Sequence, residues 1–268
     1  MLFSRSIKDE LVRRIPEKPC CMKAELAAFI QSNGSIHITT GSQRVISLQI
    51  QSENSWIVRK AFLTIKEHFG IHPEISCYKR TRLRKGNLYV LKVTGEAVVK
   101  DMLSSLYLIE GGAPFFNKGT AGMLLESDCC RRSYIRALFV SSGSITTPEK
   151  TYHLEITVDW AEYADALVEL LRESHVEFKV SQRKGKWVLY LKDAEEIIQF
   201  LSILEAHSAI LEMENVRVIK DVRNQINRLV NCETANLSKS AYASTEQIAD
   251  IRLIEERIGL FNLPQGLQ

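Results

Sequence analysis

The sequence predicts an α+β fold in which one half-domain occurs twice, the two copies packing about a pseudo-twofold axis. Residues 20–36, CCMKAELAAFIQSNGSI, return at residues 129–145 as CCRRSYIRALFVSSGSI. The offset is constant, because 129 minus 20 and 145 minus 36 both give 109. A period of about a hundred residues is too long for one unit of a solenoid, so it indicates a duplicated half-domain.

Each copy of this repeat has the pattern of a helix followed by a turn and a strand. Apolar residues recur at helical spacing in both copies: Met22, Leu26, Phe29 and Ile30 in the first, and Ile135, Leu138 and Phe139 in the second. Ala28 and Ala137 would let the two helices approach closely. Gly34 and Gly143 follow the helices, where a left-handed backbone conformation is expected. We therefore predict that these two helices form the central interface.

Hairpins and helices alternate in the same order through each half. A short helix over residues 4–14 precedes the first repeat, and Pro16 ends it. The expected elements are a hairpin over 35–52 turning at Gly41-Ser42, a helix over 54–69, a hairpin over 72–95 and a helix over 96–108, then a strand over 151–159, a helix over 161–175, a hairpin over 176–193 and a helix over 194–208. Helices would cover one face of each antiparallel sheet and leave the other free, which makes a saddle when the halves join.

Four segments follow from this pattern: an N-terminal helix (1–18), the first repeat (19–111), the second repeat (112–208) and a helical linker (209–268). The sequence GGAP at 111–114 marks the junction between the halves. In the linker, Val218, Val222, Ile226 and Leu229 form an apolar stripe. Residues 227–240 are rich in Asn and Thr and are expected to interrupt the helix, and a last helix would end at Gly259.

Composition is that of an ordinary globular protein, with 45% hydrophobic and 25% charged residues. The net charge of +3 permits nucleic-acid binding but does not by itself predict it, so any prediction depends on where the cations cluster. No stretch approaches the ~20 apolar residues of a membrane span, and the N-terminus has no apolar run of signal length. We expect a cytoplasmic, nucleoid-associated protein with no membrane partner and no small-molecule substrate.

The six cysteines show no zinc-binding spacing, since two vicinal pairs occur, Cys20-Cys21 and Cys129-Cys130, and no C-x-x-C. Buried free cysteine commonly packs as a small hydrophobe. We expect reduced core thiols, no metal and no cofactor, with a metal or redox role as the alternative. The six histidines show neither H-E-x-x-H spacing nor a triad, and no phosphate-binding glycine motif occurs.

Cations cluster at the tip of the second hairpin of each half. The predicted nucleic-acid-binding residues are Lys79, Arg80, Arg82, Arg84 and Lys85 in the first half, and Lys179, Arg183, Lys184 and Lys186 in the second. On a twofold saddle these tips would place two positive ridges along double-stranded DNA, where phosphate neutralisation supplies affinity. The alternative is that the cations are only solvated, as hairpin tips often are.

Residues 26–34, LAAFIQSNG, and residues 135–143, IRALFVSSG, resemble the motif of the LAGLIDADG homing endonucleases. In that family the motif helices form the central interface, and each ends in an acid that holds a divalent cation for phosphodiester hydrolysis. This sequence has Asn33 and Ser142 at those positions. Hard cations need charged oxygen ligands, so the substitutions predict a nuclease scaffold without catalysis.

The stretches FSRSIKDELVR and VIKDVRNQINRLVNCETANLSK, with the doubled motif, resemble the WhiA family of bacterial regulators. The resemblance implies a degenerate LAGLIDADG-like domain, a helical linker and a C-terminal helix-turn-helix. It also implies DNA binding in transcription control of sporulation, cell division and chromosome segregation. The sequence stops at LFNLPQGLQ, where the helix-turn-helix would begin, so we expect that domain to be lacking. Two alternatives remain open: a module that docks another transcription regulator, and an active homing-type endonuclease.

Overall fold

A computed structural model describes residues 2–40, 44–80, 86–109 and 119–266 of the chain. The turn predicted at Gly41-Ser42 and the junction predicted at 111–114 lie outside these ranges. The chain divides into two compact units, Met1–Met213 and Glu214–Gln268, and each is described by itself.

Within the described residues, the first half of the larger unit contains four helices and a four-stranded antiparallel sheet. Its elements are α1 (Leu2–Arg13), α2 (Pro19–Asn33), β1 (Gly34–Thr40), β2 (Arg44–Ser52), α3 (Ser55–Phe69), β3 (Glu74–Arg80), β4 (Gly86–Thr94) and α4 (Glu96–Ser105). The strand order is β1-β2-β4-β3, so each hairpin pairs with itself and β2 joins β4 at the centre. The order predicted from sequence is confirmed. Gly70 ends α3 in the left-handed conformation, with φ of 65°, as a helix-terminating glycine often does.

The second half repeats this arrangement. Its elements are α5 (Asp128–Ser142), β5 (Gly143–Ile145), β6 (Leu154–Val158), α6 (Ala161–Glu173), β7 (Lys179–Arg183), β8 (Lys186–Leu191) and α7 (Ala194–Leu204), followed by α8 (His207–Arg257). The strand order β5-β6-β8-β7 matches that of the first sheet. The register matches as well, because Gly34 faces Ile50 in one sheet and Gly143 faces Ile156 in the other. The predicted duplication is therefore present in the strand pairing itself.

One face of each sheet packs into the core, and alternate residues lie on the opposite face. The core-facing residues of the central strands are Ile46, Leu48, Ile50, Leu91 and Val93 in the first sheet, and Leu154, Ile156, Val158, Leu189 and Leu191 in the second; all are buried. Helices cover this apolar side, as the sequence pattern predicts. The opposite faces are called the free faces below.

Helices α2 and α5 form the central interface, and small buried side chains line it. Ala27, Ala28 and Ala137 are each at most 2% exposed, which permits the close approach predicted from the repeat. A buried hydrogen-bond chain also ties the halves together. The Tyr134 hydroxyl donates to Gln31 Oε1 and lies 2.7 Å from the Tyr163 hydroxyl.

The two glycines after α2 and α5 are needed for a reason that differs from the prediction. Gly34 has φ of −87° and Gly143 has φ of −79°, both ordinary extended conformations, so the predicted left-handed conformation is wrong. A Cβ on Gly34 would lie 2.3 Å from the Ile30 carbonyl oxygen. A Cβ on Gly143 would lie 2.3 Å from the Phe139 ring and 2.6 Å from its carbonyl oxygen. The chain turns so tightly from helix into strand that only glycine fits.

Helix α8 runs without a break from His207 to Arg257, so the interruption predicted at residues 227–240 is wrong. Side chains within and just after this stretch donate hydrogen bonds back to their own helix. Ser238 Oγ donates to the Thr234 carbonyl oxygen at 2.9 Å, and Thr245 Oγ1 donates to that of Ala241 at 2.8 Å. Polar residues that favour turns elsewhere are thus accommodated within a helix by bonding four residues back. Among the described residues, no helix is long and apolar enough to cross a membrane.

Candidate nucleic-acid interface

The free face of the second sheet carries most of the basic residues predicted for that half. Lys179 faces Tyr190 across β7 and β8, and Arg183 faces Lys186 at the end of the same hairpin. Strand alternation places all four side chains on the free face. Lys179, Arg183 and Lys186 are exposed. Since Lys179 and Arg183 are separated by four residues of one strand, they span about 13 Å.

A two-residue loop at the tip of this hairpin carries the fourth predicted cation. Lys184 has φ of 51° and Gly185 has φ of 76°, which is the pattern of the tight turn that joins twisted strands. Lys184 is exposed. The geometry therefore directs one cation beyond the sheet end while its neighbours lie along the face.

Two acidic side chains partly neutralise the positive charge of this face. Glu155 on β6 lies 3.9 Å from Arg183 and 3.2 Å from His153, and it accepts a 3.1 Å hydrogen bond from Ser144. Asp159 lies 2.9 Å from Lys186. Within the described ranges, Lys179 and Lys184 form no ion pair. These two lysines are therefore the cations most available to an anionic partner.

The first hairpin is only partly within the described residues. Arg82, Arg84 and Lys85 lie outside them, as does the side chain of Arg80. Lys79 is described and exposed. Because side chains alternate along β3, Lys79 lies on the helix-covered face of the sheet, whereas its neighbour Tyr78 lies on the free face. The structure thus places Lys79 on the helix-covered face of its sheet, whereas Lys179, Arg183 and Lys186 lie on the free face of theirs.

The free face of the first sheet is mostly polar, although Leu88 and the buried Val90 also lie on it. It presents Ser35, His37, Ser47, Gln49, Tyr78, Lys92 and Thr94, with Glu74 at the edge strand. Ser35 Oγ lies 2.9 Å from His37 Nε2, and Gln51 Nε2 donates to Gln49 Oε1 at 3.3 Å. Lys92 and, in the second sheet, Lys192 were not singled out from sequence, because each is an isolated cation within or just after a strand. The strand register places Lys92 on the free face of the first sheet. Lys192 directly follows β8, and its Nζ lies 5.4 Å from the ring centroid of Tyr190, a free-face residue.

The positions that carry acids in the LAGLIDADG endonucleases hold neutral groups engaged with the backbone. Asn33 Nδ2 donates to the Gln51 carbonyl oxygen at 3.1 Å. Ser142 Oγ donates to the Leu138 carbonyl oxygen at 3.1 Å. Neither side chain supplies the charge that a hard divalent cation needs.

The acids nearest the other ends of the motif helices are engaged elsewhere. Glu25 is 4% exposed, and its two carboxylate oxygens accept hydrogen bonds of 2.8 and 3.0 Å from Lys60. Burial raises the pKa of Glu25 and lowers the pKa of Lys60, while their mutual attraction opposes both shifts. Asp128 is exposed and pairs with Arg131, which lowers the pKa of Asp128. Glu25 lies near the middle of α2, eight residues before Asn33, and Asp128 is the first residue of α5, so neither acid lies at the motif end of its helix.

The cysteines are arranged in a way the sequence analysis missed. The four Sγ atoms of Cys20, Cys21, Cys129 and Cys130 all lie within 4.8 Å of one another. Cys21 and Cys130 are buried, as expected, whereas Cys20, Cys77 and Cys232 are exposed, so the expectation of core thiols is wrong for these three. Burial raises the pKa of Cys21 to about 11, and a hydrogen bond with Cys21 lowers the pKa of Cys129. The signal was present in the repeat, which places both pairs at equivalent positions of packed helices.

The duplicated sheets, joined through α2 and α5, define a LAGLIDADG-like protein. Family models confirm this assignment: the WhiA N-terminal LAGLIDADG-like domain matches residues 19–109, the WhiA LAGLIDADG-like domain matches 131–223, and the WhiA C-terminal HTH domain matches 226–268. The "Probable cell division protein WhiA" of Desulforamulus reducens is 43% identical over 268 residues, covering 100% of this chain and 83% of the relative. That of Alkaliphilus oremlandii is 42% identical over 270 residues, covering 100% and 84%. The chain belongs to the WhiA family.

Solved structures show the same fold. Full-length DUF199/WhiA from Thermatoga maritima aligns with a TM-score of 0.65 at 24% identity, covering 98% of this chain and 83% of that one. The homing endonuclease I-DmoI, in complex with DNA and Mn, aligns with a TM-score of 0.51 at 15% identity, covering 70% and 97%. At these identities the likeness concerns the fold alone.

The expectation that the helix-turn-helix is lacking is wrong. The family model of that domain matches residues 226–268, which the sequence analysis assigned to the linker. The match begins inside α8, so most of the matched segment lies on one continuous helix in this structure, followed by a short 3₁₀ helix at Leu260–Asn262. A helix-turn-helix was expected as a separate pair of helices after the linker. A continuous helix contains no turn residues that would mark such a pair in the sequence.

Proposed function

We propose that this chain is a DNA-binding regulator that controls transcription in sporulation, cell division and chromosome segregation, and that it does not cleave DNA. The observation that carries the DNA-binding part is the free face of the second sheet. There, Lys179, Arg183 and Lys186 lie together, and Lys184 extends from the tip. The names of the relatives support the assignment to cell division, and the family match supports a helix-turn-helix contribution.

The like-charge pairing in this hairpin argues for an anionic partner. Arg183 and Lys186 face each other directly across two strands, an arrangement that destabilises a sheet. Asp159 and Glu155 offset part of the repulsion, yet Lys179 and Lys184 keep their charges available. A duplex offers the matching charge, since its major groove is about 12 Å wide and admits a two-stranded ribbon between phosphate walls. Phosphates would therefore be the first contacts of this face.

Work is divided between the two units in this proposal. The sheets supply phosphate contacts, which add affinity and fix orientation without reading sequence. Residues 226–268 supply the reading of base edges, because they match the family's helix-turn-helix domain.

The neutral ends of the motif helices support the absence of cleavage. Phosphodiester hydrolysis by this scaffold would need metal-held oxygens at Asn33 and Ser142. Both side chains instead donate hydrogen bonds to backbone carbonyl oxygens, and neither is a carboxylate. Binding energy for DNA is thus retained while the metal ligands are replaced.

Binding of the chain to a fluorescent duplex across a salt series tests the phosphate contacts. The test variant reverses Lys179 and Lys184 to Glu, and the control reverses the exposed helix residues Lys66 and Lys100, which gives the same net charge. If both test residues contact phosphates, the slope of log K against log salt should flatten by roughly 2 in the test variant only.

Competition with promoter and scrambled duplexes tests the division of labour. The test variant should lose affinity for both duplexes by a similar factor, because phosphate contacts are blind to sequence. Equal weakening by the control variant would show that only net charge matters, and salt-independent binding would contradict phosphate contacts altogether.

A second candidate function is a module that docks another transcription regulator. It is favoured by the apolar stripe on α8, where Val218, Val222, Ile226 and Leu229 are each about half exposed or more. Normal regulation in cells by the Lys179 and Lys184 variant would support this candidate over DNA binding by the sheets.

A further inference from the structure

The four-cysteine cluster of Cys20, Cys21, Cys129 and Cys130 lies where the two halves of the larger unit meet. Its longest distance between sulfurs is within 4.8 Å. Tetrahedral zinc, with four bonds of about 2.3 Å to sulfur, requires sulfurs about 3.8 Å apart. The gap is about 1 Å, which small side-chain rotations close. Two cysteine pairs separated by more than a hundred positions thus meet at the spacing of one metal ion.

The repeat builds this cluster from two equivalent halves. Lys18 and Ser127 occupy the N-cap positions of α2 and α5. Cys20 and Cys21 are therefore the second and third residues of α2, and Cys129 and Cys130 occupy the same positions in α5. Each half contributes two thiols, and the packing of α2 on α5 brings the pairs together. Four sulfur ligands from two chain segments are the donor set of structural zinc sites.

Positive groups near the cluster would offset part of the cost of burying four thiolates. Two helix N-termini converge on the cluster, and each offers the positive end of a helix dipole. A pocket of about 520 Å³ opens beside Cys21 and Cys129, and its lining includes Lys18, Arg132 and Arg136. Three acids also line the pocket, Glu17, Asp128 and Glu205. Asp128 is paired with Arg131, and Glu205 is paired with Arg14 and Arg136, so the charge of Arg136 is partly neutralised. The pocket and the exposed Cys20 give an ion a route to the sulfurs.

We propose that Cys20, Cys21, Cys129 and Cys130 form a tetrathiolate site for one soft divalent cation, Zn²⁺, that clamps the two halves together. Binding is a ligand exchange without oxidation: four thiols lose their protons to solvent, four Zn–S bonds form, and the ion releases its water. The closed, four-ligand geometry makes the site structural rather than catalytic. A clamp on α2 and α5 would hold the two sheets in fixed register across the interface.

Cobalt titration of the reduced chain, without oxygen, tests the site. Co²⁺ should give the intense visible bands of tetrahedral thiolate coordination, saturating at about one ion per chain, and Zn²⁺ should bleach them. The test variant replaces Cys20 and Cys129 with Ser. The matched control replaces Cys77 and Cys232, which are exposed and outside the cluster. The bands should vanish in the test variant and persist in the control.

Alkylation of the parent protein keeps the proposal testable if the test variant misfolds. With Zn²⁺ present, mass spectrometry should find Cys77 and Cys232 modified and the four cluster cysteines protected. Equal modification of all six cysteines, or cobalt bands unchanged in the test variant, would overturn the site. Disulfides joining the two pairs in a chain that binds no metal after reduction would also overturn it.

Discussion

Replacing Lys60 with Met isolates the role of a buried ion pair in the stability of the larger unit. Lys60 Nζ contacts both Glu25 oxygens and also donates to the Arg14 carbonyl oxygen. Met fills a similar volume without the charge, so the variant leaves the Glu25 carboxylate buried with only Arg136 to attract it. Removing one partner of a buried pair costs about 3–5 kcal/mol.

Protonation of Glu25 limits this cost and makes it depend on pH. Taking up a proton at pH 7 costs about 3.4 kcal/mol relative to the ordinary carboxyl pKa of 4.5, and about 0.7 kcal/mol at pH 5. The pKa of Glu25 is raised by burial, so the stability it contributes as a neutral group is present at low pH and is lost as pH rises. The variant should therefore be about 3 kcal/mol less stable than the parent at pH 7. At pH 5 the loss of stability should be less than about 1 kcal/mol.

Urea unfolding followed by tryptophan fluorescence measures this difference, because Trp56, Trp160 and Trp187 all lie in the larger unit. Lys66→Met is the matched control, since Lys66 is on the same helix but exposed. It should change stability by less than about 0.5 kcal/mol. Equal destabilisation at pH 5 and pH 7, or a Lys60 variant as stable as the control, would refute the reasoning.

Three further outcomes are expected. Gly143→Ala should destabilise the chain by about 1–3 kcal/mol through overlap with Phe139, whereas Gly86→Ala, with nothing within 4 Å, should be nearly neutral in the same urea assay. Tyr134→Phe should cost about 1–3 kcal/mol, because Gln31 and Tyr163 lose a buried partner, while the exposed Tyr242→Phe should cost almost nothing; similar losses would contradict the buried network. The purified chain should not nick supercoiled plasmid with Mg²⁺ or Mn²⁺, and metal-dependent nicking would show that other acids replace the missing ones.

Much of the fold followed from local patterns in the sequence. The constant offset between residues 20–36 and 129–145 predicted the duplication and the central helix pair, since identical segments fold alike and bury the same face. Alternation of apolar and polar residues predicted the hairpins, and Gly70 predicted a helix end. The repeat, the hairpins and the helix end depend on residues that are close together in the sequence. The periodicity of apolar residues therefore predicts them directly.

The candidate nucleic-acid interface could be predicted only in part from local patterns in the sequence. Charge clustering found Lys179, Arg183, Lys184 and Lys186, but the sheet face occupied by each cation depends on strand register, which also set Lys79 on the other side. Register emerges when strands pair, because a shift by one residue moves every side chain to the opposite face.

Tertiary packing alone decided why glycine follows each motif helix and where the cysteines lie. Gly34 and Gly143 are required by contact with residues four positions back, not by the backbone angle that local rules favour. The four sulfurs converge because α2 packs on α5 through alanines, although 109 positions separate the two pairs. Sequence periodicity sets which residues share a face of one element, whereas close packing of elements sets which distant side chains meet.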